Sequence, residues 1–330
     1  MAKKELKNQE VETSSKEEVI EEVKQEIAEE NEPITYSSSY LETIETERAR
    51  FLSTYRSQNI LRWVLSFVSI GLVIFAFIVI PNIMPDNSLV VSIAILVAAL
   101  ALTIAFSILS KRFLNKKMHE YFALYYQNVN EHVFKDIVKD MQQQFPGRIE
   151  PQAFTDNGLY KEVADVGSRG LLEFEYEGIP VAVVDAAAQA RNEKRLVPIF
   201  VGKYLYAASN YSYDEPLYIY FKGDKRALPP NNLDNVKVVQ DDKKMVVYSN
   251  SADWKKVLTK EVKSILQSIE MNKELVDLSI ALQKGRIFVC MGYDDPLMVL
   301  PLQKPFNPKP TEIFKKDVRP VLKLIKELNK

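Results

Sequence analysis

The chain has 330 residues, 47% of them hydrophobic, and a formal net charge of −1. That balance excludes a globally basic nucleic-acid binder and gives no overall pull toward acidic lipid. Its one cysteine, Cys290, excludes an intramolecular disulfide and agrees with a reducing cytoplasm.

Residues 1–39 are expected to form a disordered acidic tail. Positions 1–32 hold five Lys against eleven Glu, a net of −6, with little to bury beyond isolated Val and Ile. A docking arm is the functional alternative to a solvated tail. Residues 40–62 lack Pro and Gly, and Leu41, Ile44, Phe51, Leu52 and Tyr55 fall near helical spacing. This juxtamembrane helix is expected to run straight into the apolar stretch that begins at Trp63.

Residues 63–80 (WVLSFVSIGLVIFAFIVI) and 89–110 (LVVSIAILVAALALTIAFSILS) contain no charged residue. At about 1.5 Å per helical residue, each crosses or nearly crosses a hydrocarbon core of about 30 Å. Only residues 81–88 (PNIMPDNS) separate them, so the pair reads as a transmembrane helical hairpin rather than as buried core helices. A cleavable signal peptide is not expected here, because the first apolar run begins at Trp63. Arg48, Arg50, Arg56 and Arg62 precede the first span, and Lys111, Arg112, Lys116 and Lys117 follow the second. The turn has no Lys or Arg. Both termini are therefore expected in the cytoplasm of a multi-pass cell-membrane protein, with turn 81–88 outside.

Residues 111–146 are expected to be a stalk helix. Leu114, Met118, Tyr121, Tyr125, Val129, Val133, Ile137 and Met141 form a three-four stripe up to Pro146-Gly147. Antiparallel pairing with 40–62 is the simplest use of that stripe; packing on the C-terminal domain or the lipid surface are the alternatives.

From 147 to 330 the pattern changes to short β segments. Strands are expected at 171–177, 179–185, 198–208, 216–221, 236–239, 245–249, 276–283 and 286–291, and a further one at 296–302. Pro180 suggests an edge or a strand start. A helix is expected from Ser251 as N-cap, burying Trp254, Leu258, Val262, Ile265 and Ile269. A last helix over 311–329 buries Phe314, Val318, Val321, Ile325 and Leu328, with Pro320 kinking it. The fold class is thus a membrane helical hairpin plus an α+β cytoplasmic domain with a mainly antiparallel sheet.

Three stretches carry the pattern of a known family: Phe154-Thr155-Asp156-Asn157-Gly158-Leu159-Tyr160; Met245-Val246-Val247-Tyr248-Ser249 leading into 254–259; and Leu278-Ser279-Ile280-Ala281-Leu282 turning into Ile287-Phe288-Val289. With the two spans before them, they make the chain, over roughly 40–330, resemble bacterial membrane proteins of the domain-of-unknown-function 3137 family. The resemblance implies no catalytic residue. It suggests a LemA-type membrane protein as partner.

No catalytic motif is found: no P-loop, dinucleotide fingerprint, HExxH or nucleophile elbow. His119 and His132 stand too far apart along one helix to share a metal. Cys290 reads as a buried strand residue rather than a nucleophile. Gly167-Ser168-Arg169-Gly170 fits an anion-holding turn or an ordinary loop. Glu173 and Glu175 alternate with apolar neighbours as the wet face of a strand, not an acid pair. The basic C-terminus, net +5 over 301–330, reads as a solvated helix face or a contact to anionic headgroups.

Tyr204, Tyr206, Tyr218 and Tyr220, in a segment dense in tyrosine, and Tyr121 and Tyr125 on the stalk are the candidate partner-binding residues. Ordinary strand tyrosines are the alternative. No catalytic, cofactor or metal site is assigned, and no nucleic acid is expected. The expected function is a non-catalytic binding or scaffolding module, anchored in the bilayer and facing a membrane-protein partner. The alternative is a pore or transport component built by homo-oligomerising hairpins, since Ala94/Ala98 and Ala101/Ala105 give small-xxx-small spacing. A membrane-bound enzyme using scattered carboxylates is a third reading without a site behind it.

Overall fold

The computed structural model describes residues 38–83, 88–138, 140–193, 195–210, 215–223, 233, 235–271, 274–294, 302 and 304–330. The expected acidic tail up to residue 37, positions 84–87 of the turn, Tyr211, Tyr213 and nearly all of the expected strand at 296–302 lie outside the described residues. The chain divides into two compact units. One holds Ser38–Tyr125 with Leu300–Phe306; the other holds Tyr126–Val299 and Asn307–Lys330.

In the first unit, α1 (Ser38–Ile78) carries the segment from residue 40 to 62 and most of the first apolar stretch as one helix. A single turn, α2 (Ile80–Ile83), comes next. The second span opens α3 (Ser88–Phe134), whose last residues belong to the other unit. The two long helices pair side by side. The Ser92 hydroxyl donates to the Ala76 carbonyl, Ser69 and Thr103 hydroxyls share a hydrogen bond of 2.7 Å, and Ser110 donates to Gln58 at 3.0 Å. The pairing continues past the spans, where Phe51 stacks on Tyr121 with ring centroids 5.8 Å apart. Both helices are long and apolar enough to cross a membrane.

The second unit is built on a nine-stranded sheet in the order β1-β2-β3-β4-β9-β8-β5-β7-β6, antiparallel at every pairing. The strands are β1 (Met141–Gln144), β2 (Val163–Tyr176), β3 (Ile179–Asn192), β4 (Arg195–Ala208), β5 (Leu217–Phe221), β6 (Val238–Asp241), β7 (Met245–Ser249), β8 (Leu275–Gln283) and β9 (Arg286–Tyr293). Two-residue turns join β2 to β3 and β8 to β9. Glu177-Gly178 and Lys284-Gly285 all have positive φ there, the turn geometry that matches strand twist. The helices are α4 (Pro151–Thr155), α5 (Trp254–Val257), α6 (Lys260–Ser268) and α7 (Lys309–Glu327).

Alternation sends one set of side chains to each face of the sheet. Ala182, Val184 and Ala186 of β3, Tyr204 of β4 and Phe288 and Cys290 of β9 share a core with Phe154 of α4. Lys203 of β4 lies under the Phe314 ring of α7 on the opposite face, and Phe134 at the end of α3 packs on Phe174 and Phe314.

Several expectations are corrected. The stalk helix expected over 111–146 ends at Phe134, and Met141–Gln144 is β1. Helical spacing at Val133, Ile137 and Met141 competes with the open edge of β2, whose residues 171–174 pair with β1; tertiary pairing prevails over local pattern. Gly167-Ser168-Arg169-Gly170 is no loop but the middle of β2. Pro180 stands at the start of β3, which is an inner strand, so the strand-start reading holds and the edge reading fails. The helix expected from Ser251 breaks at Leu258: α5 is one turn, and α6 restarts under Thr259, whose hydroxyl caps the Val262 amide at 3.2 Å. Leu258, Val262, Ile265 and Ile269 are buried as expected, but Trp254 is half-buried, with Lys255 and Lys263 ammonium groups 5.6 Å from its ring. The helix expected at 311–329 is α7, and it is no simple solvated face: Lys315 is 4% exposed.

Candidate functional site

The first unit contains a cavity of about 550 Å³ between α1 and α3, where the charge-free spans meet their basic flanks. Arg56 and Arg62 reach it from α1 and Lys111 from α3; Phe51, Leu114 and Met118 supply apolar wall. The helix pairing sets this composition. Antiparallel helices bring the C-terminal flank of one span beside the N-terminal flank of the other, so both basic clusters converge.

The electrostatics are one-sided. Between Arg48 and Lys117 the only acidic residue in the sequence is Asp86. Three of the cations farther from the spans are paired: Arg48 with Glu45, Arg50 with Glu47, Lys117 with Glu120. Arg56, Arg62 and Lys111 have no ion-pair partner among the described residues. Arg62 donates one guanidinium N–H to the Ser107 carbonyl at 3.3 Å, while its enclosed Nε–H has no acceptor. An enclosed donor without a partner costs about 1–3 kcal/mol, so the site favours an anion that supplies oxygen. In the sequence these residues stand out only as the basic flanks that orient the spans. The available signal was the run of cations with no acid between them.

A second groove of about 480 Å³ runs between the spans, walled by Ile70, Val73 and Ile74 of α1 and Leu96, Leu100 and Ile104 of α3. Its hydroxyls are satisfied: Ser66 donates to the Arg62 carbonyl at 2.9 Å, and Ser69 and Thr103 bond each other.

The candidate tyrosines are mostly core. Tyr204, Tyr218 and Tyr220 lie on one sheet face, sealed by α4 and the segment after it. Their hydroxyls are accommodated there: Tyr204 donates to the Ala153 carbonyl at 2.7 Å and Tyr220 to the Leu159 carbonyl at 3.2 Å. Burial pushes the Tyr204 phenol well above its ordinary value and Tyr218 upward. The Phe154–Tyr160 motif is that seal. Phe154 and Leu159 are fully buried, the Asn157 side chain accepts from the Leu159 amide at 2.7 Å, and Tyr160 donates to Asp277 at 2.7 Å. Gly158 has φ of +67°, and a Cβ there would meet the Tyr218 hydroxyl. Tyr206 is half-buried and lines a shallow groove of about 270 Å³ with Arg286 and Glu173. Tyr121 and Tyr125 are buried in the helical unit, against Phe51 and Phe306. Burial pushes the Tyr121 phenol up to about 12, against the pull of the Arg48 charge.

Several other polar groups of the sheet unit are buried in pairs or in the core. Asp185 of β3 faces Lys203 of β4 at 2.5 Å and accepts from Tyr126 at 2.7 Å. His132 bonds Glu312 at 2.7 Å, and Cys290 sits in the core 3.8 Å from the Asn157 amide. Among the described residues no group of three or more His, Cys, Asp or Glu is arranged to hold a metal.

No protein-family model matches this sequence, and neither does any curated protein. Among solved structures, the crystal structure of the mycobacterial trehalose monomycolate transport factor A, TtfA, is similar at 11% identity. It covers 61% of this chain and 95% of that one, with a TM-score of 0.34.

Proposed function

We propose that α1 and α3 anchor the chain in a cell membrane as a hairpin with both termini in the cytoplasm. In this reading the sheet unit is a non-catalytic binding or scaffolding module for a membrane-protein partner. The supporting observation is the distribution of exposed apolar side chains. Among the described residues, all the large exposed ones fall between Ile60 and Leu109, except Tyr55, Phe113, Leu196 and Val238. Water opposes such a band, whereas a bilayer covers it. A buried core helix would hide these residues, yet only 11% of each apolar window is buried. The unpaired cations at both outer ends and their absence from the turn support the orientation. Tethering in two dimensions raises effective concentration toward another membrane protein, which suits a binding module. The resemblance to the domain-of-unknown-function 3137 family makes a LemA-type protein the first partner to try.

Reporter fusions after Lys117 and Lys330 test the orientation. Activity as cytoplasmic reporters is expected at both points, and activity of an export-dependent reporter at either one refutes it. Crosslinking and capture of the full chain from native membranes tests the partner. One observation favours a second reading, an oligomer of hairpins: Ala94, Ala98, Ala101 and Ala105 are exposed rather than packed within the hairpin. Ion flux through reconstituted liposomes, with no partner captured, would favour it over the first.

A further inference from the structure

We infer that the hairpin holds one anionic phospholipid. Its phosphate-bearing headgroup lies among Arg56, Arg62 and Lys111, and one acyl chain lies along the groove between the spans. This rests on the membrane reading above and adds a ligand class and a site to it.

Three observations lead there. The first is charge without compensation. The cavity gathers three cations that lack ion-pair partners, and the enclosed Arg62 Nε–H has no acceptor. A phosphate diester brings the negative charge and the oxygens both features lack. The second is position. Arg62 adjoins the first residue of one charge-free span, and Lys111 follows the last of the other, which is the depth of lipid phosphates. A soluble anion would find the cations there but would leave the groove empty.

The third is continuity between cavity and groove. Phe51 and Leu52 line the cavity; Ser69 and Ile70 line the groove; each pair is eighteen residues apart. Tyr55 and Val73, and Arg56 and Ile74, repeat the relation. On α3, Leu96 and Leu114, and Leu100 and Met118, do the same. Eighteen residues are five turns at about 3.6 residues per turn, so the two spaces share one face of each helix. Arg62 and Ser66, one turn apart, join them. The groove wall is apolar once Ser66, Ser69 and Thr103 have spent their hydroxyls on partners within the hairpin. A basic end leading into an apolar channel complements a molecule with an anionic head and a hydrocarbon tail.

Native mass spectrometry of the full chain in detergent, titrated with phosphatidylglycerol and phosphatidylcholine, tests this. One phosphatidylglycerol should be retained in preference to phosphatidylcholine. Arg56→Gln with Lys111→Gln should weaken it about 25-fold, at roughly fivefold per cation. Arg112→Gln with Lys116→Gln removes two cations beside the spans that do not line the cavity, and should leave the preference in place. Leu100→Trp, which fills the groove, should weaken retention with all cations present. Equal loss in both double variants would overturn the site in favour of diffuse attraction. Full competition by millimolar glycerol 3-phosphate would overturn it in favour of a headgroup-only site. Alkaline carbonate extraction separates the two readings. A chain that stays in the membrane pellet but shows no lipid preference refutes the site and leaves the anchor. A chain that carbonate releases refutes both.

Discussion

Asp317 shows how a single residue sets a pH dependence. It sits on the buried side of α7, 8% exposed, and accepts a hydrogen bond from Tyr293 of β9 at 3.2 Å. Burial pushes its carboxyl up to about 7, and Glu274 adds to this; the Tyr293 hydroxyl and Lys316 pull it back. The folded unit therefore holds this proton more tightly than the unfolded chain, where the value is 3.8. The resulting stabilisation is full below pH 4, shrinks as pH rises and is gone above pH 7. Its size is on the order of 4 kcal/mol at about 1.36 kcal/mol per unit. Denaturant midpoints at pH 5 and pH 8 should differ in the wild type, and Asp317→Asn should flatten the difference. Sequence alone did not single out this residue, because an acidic residue on an amphipathic helix reads as solvated until a strand closes over it. The tyrosines show the same blindness from the other side. Tyr204 and Tyr220 resemble a contact surface until α4 and the segment after it lay carbonyls against their hydroxyls.

Elements were legible where their residues interact locally. The β8–β9 hairpin follows from two short apolar runs on either side of Lys284-Gly285, and α1 follows from helical spacing before Trp63 and apolar composition after it. The boundary between α5 and α6 did not follow, since Trp254, Leu258, Val262 and Ile265 keep helical spacing across it. Thr259 decides the restart by capping the Val262 amide. Thr259→Ala should cost about 1 kcal/mol, within a range of roughly 0.5–2, read as a lower thermal midpoint. Restoring Ser there should recover most of it. Strand β1 was illegible for a different reason: Met141–Gln144 has no strand pattern of its own and exists as an edge because β2 offers unpaired backbone.

At the scale of the whole molecule, the sheet unit begins at Tyr126, not at the change of pattern near 147. Tyr126 bonds Asp185, and Phe134 is fully buried between Phe174 and Phe314 at 5.0 and 5.9 Å. A fragment spanning 126–330 should melt cooperatively by calorimetry. A fragment spanning 147–330, lacking β1 and Phe134, should not. Within the longer fragment Phe134→Ala should cost about 3–5 kcal/mol, the usual range for emptying a buried aromatic site. A cooperative melt from the shorter fragment would place the boundary back at 147.

The two apolar helices, their basic flanks, the mainly antiparallel sheet and most of its strands are already present in the order of the residues. Each of these is written in local composition or in a period of two or 3.6 residues. Tertiary structure alone decided what the polar and aromatic residues do. Whether a tyrosine is core or surface depends on the segment that lands on it, and whether distant cations share one cavity depends on which helix comes alongside. The cavity of Arg56, Arg62 and Lys111 is the case in point. Its cations lie up to fifty-five residues apart in the chain, and only the antiparallel packing of α1 on α3 brings them to one place without an acid between them.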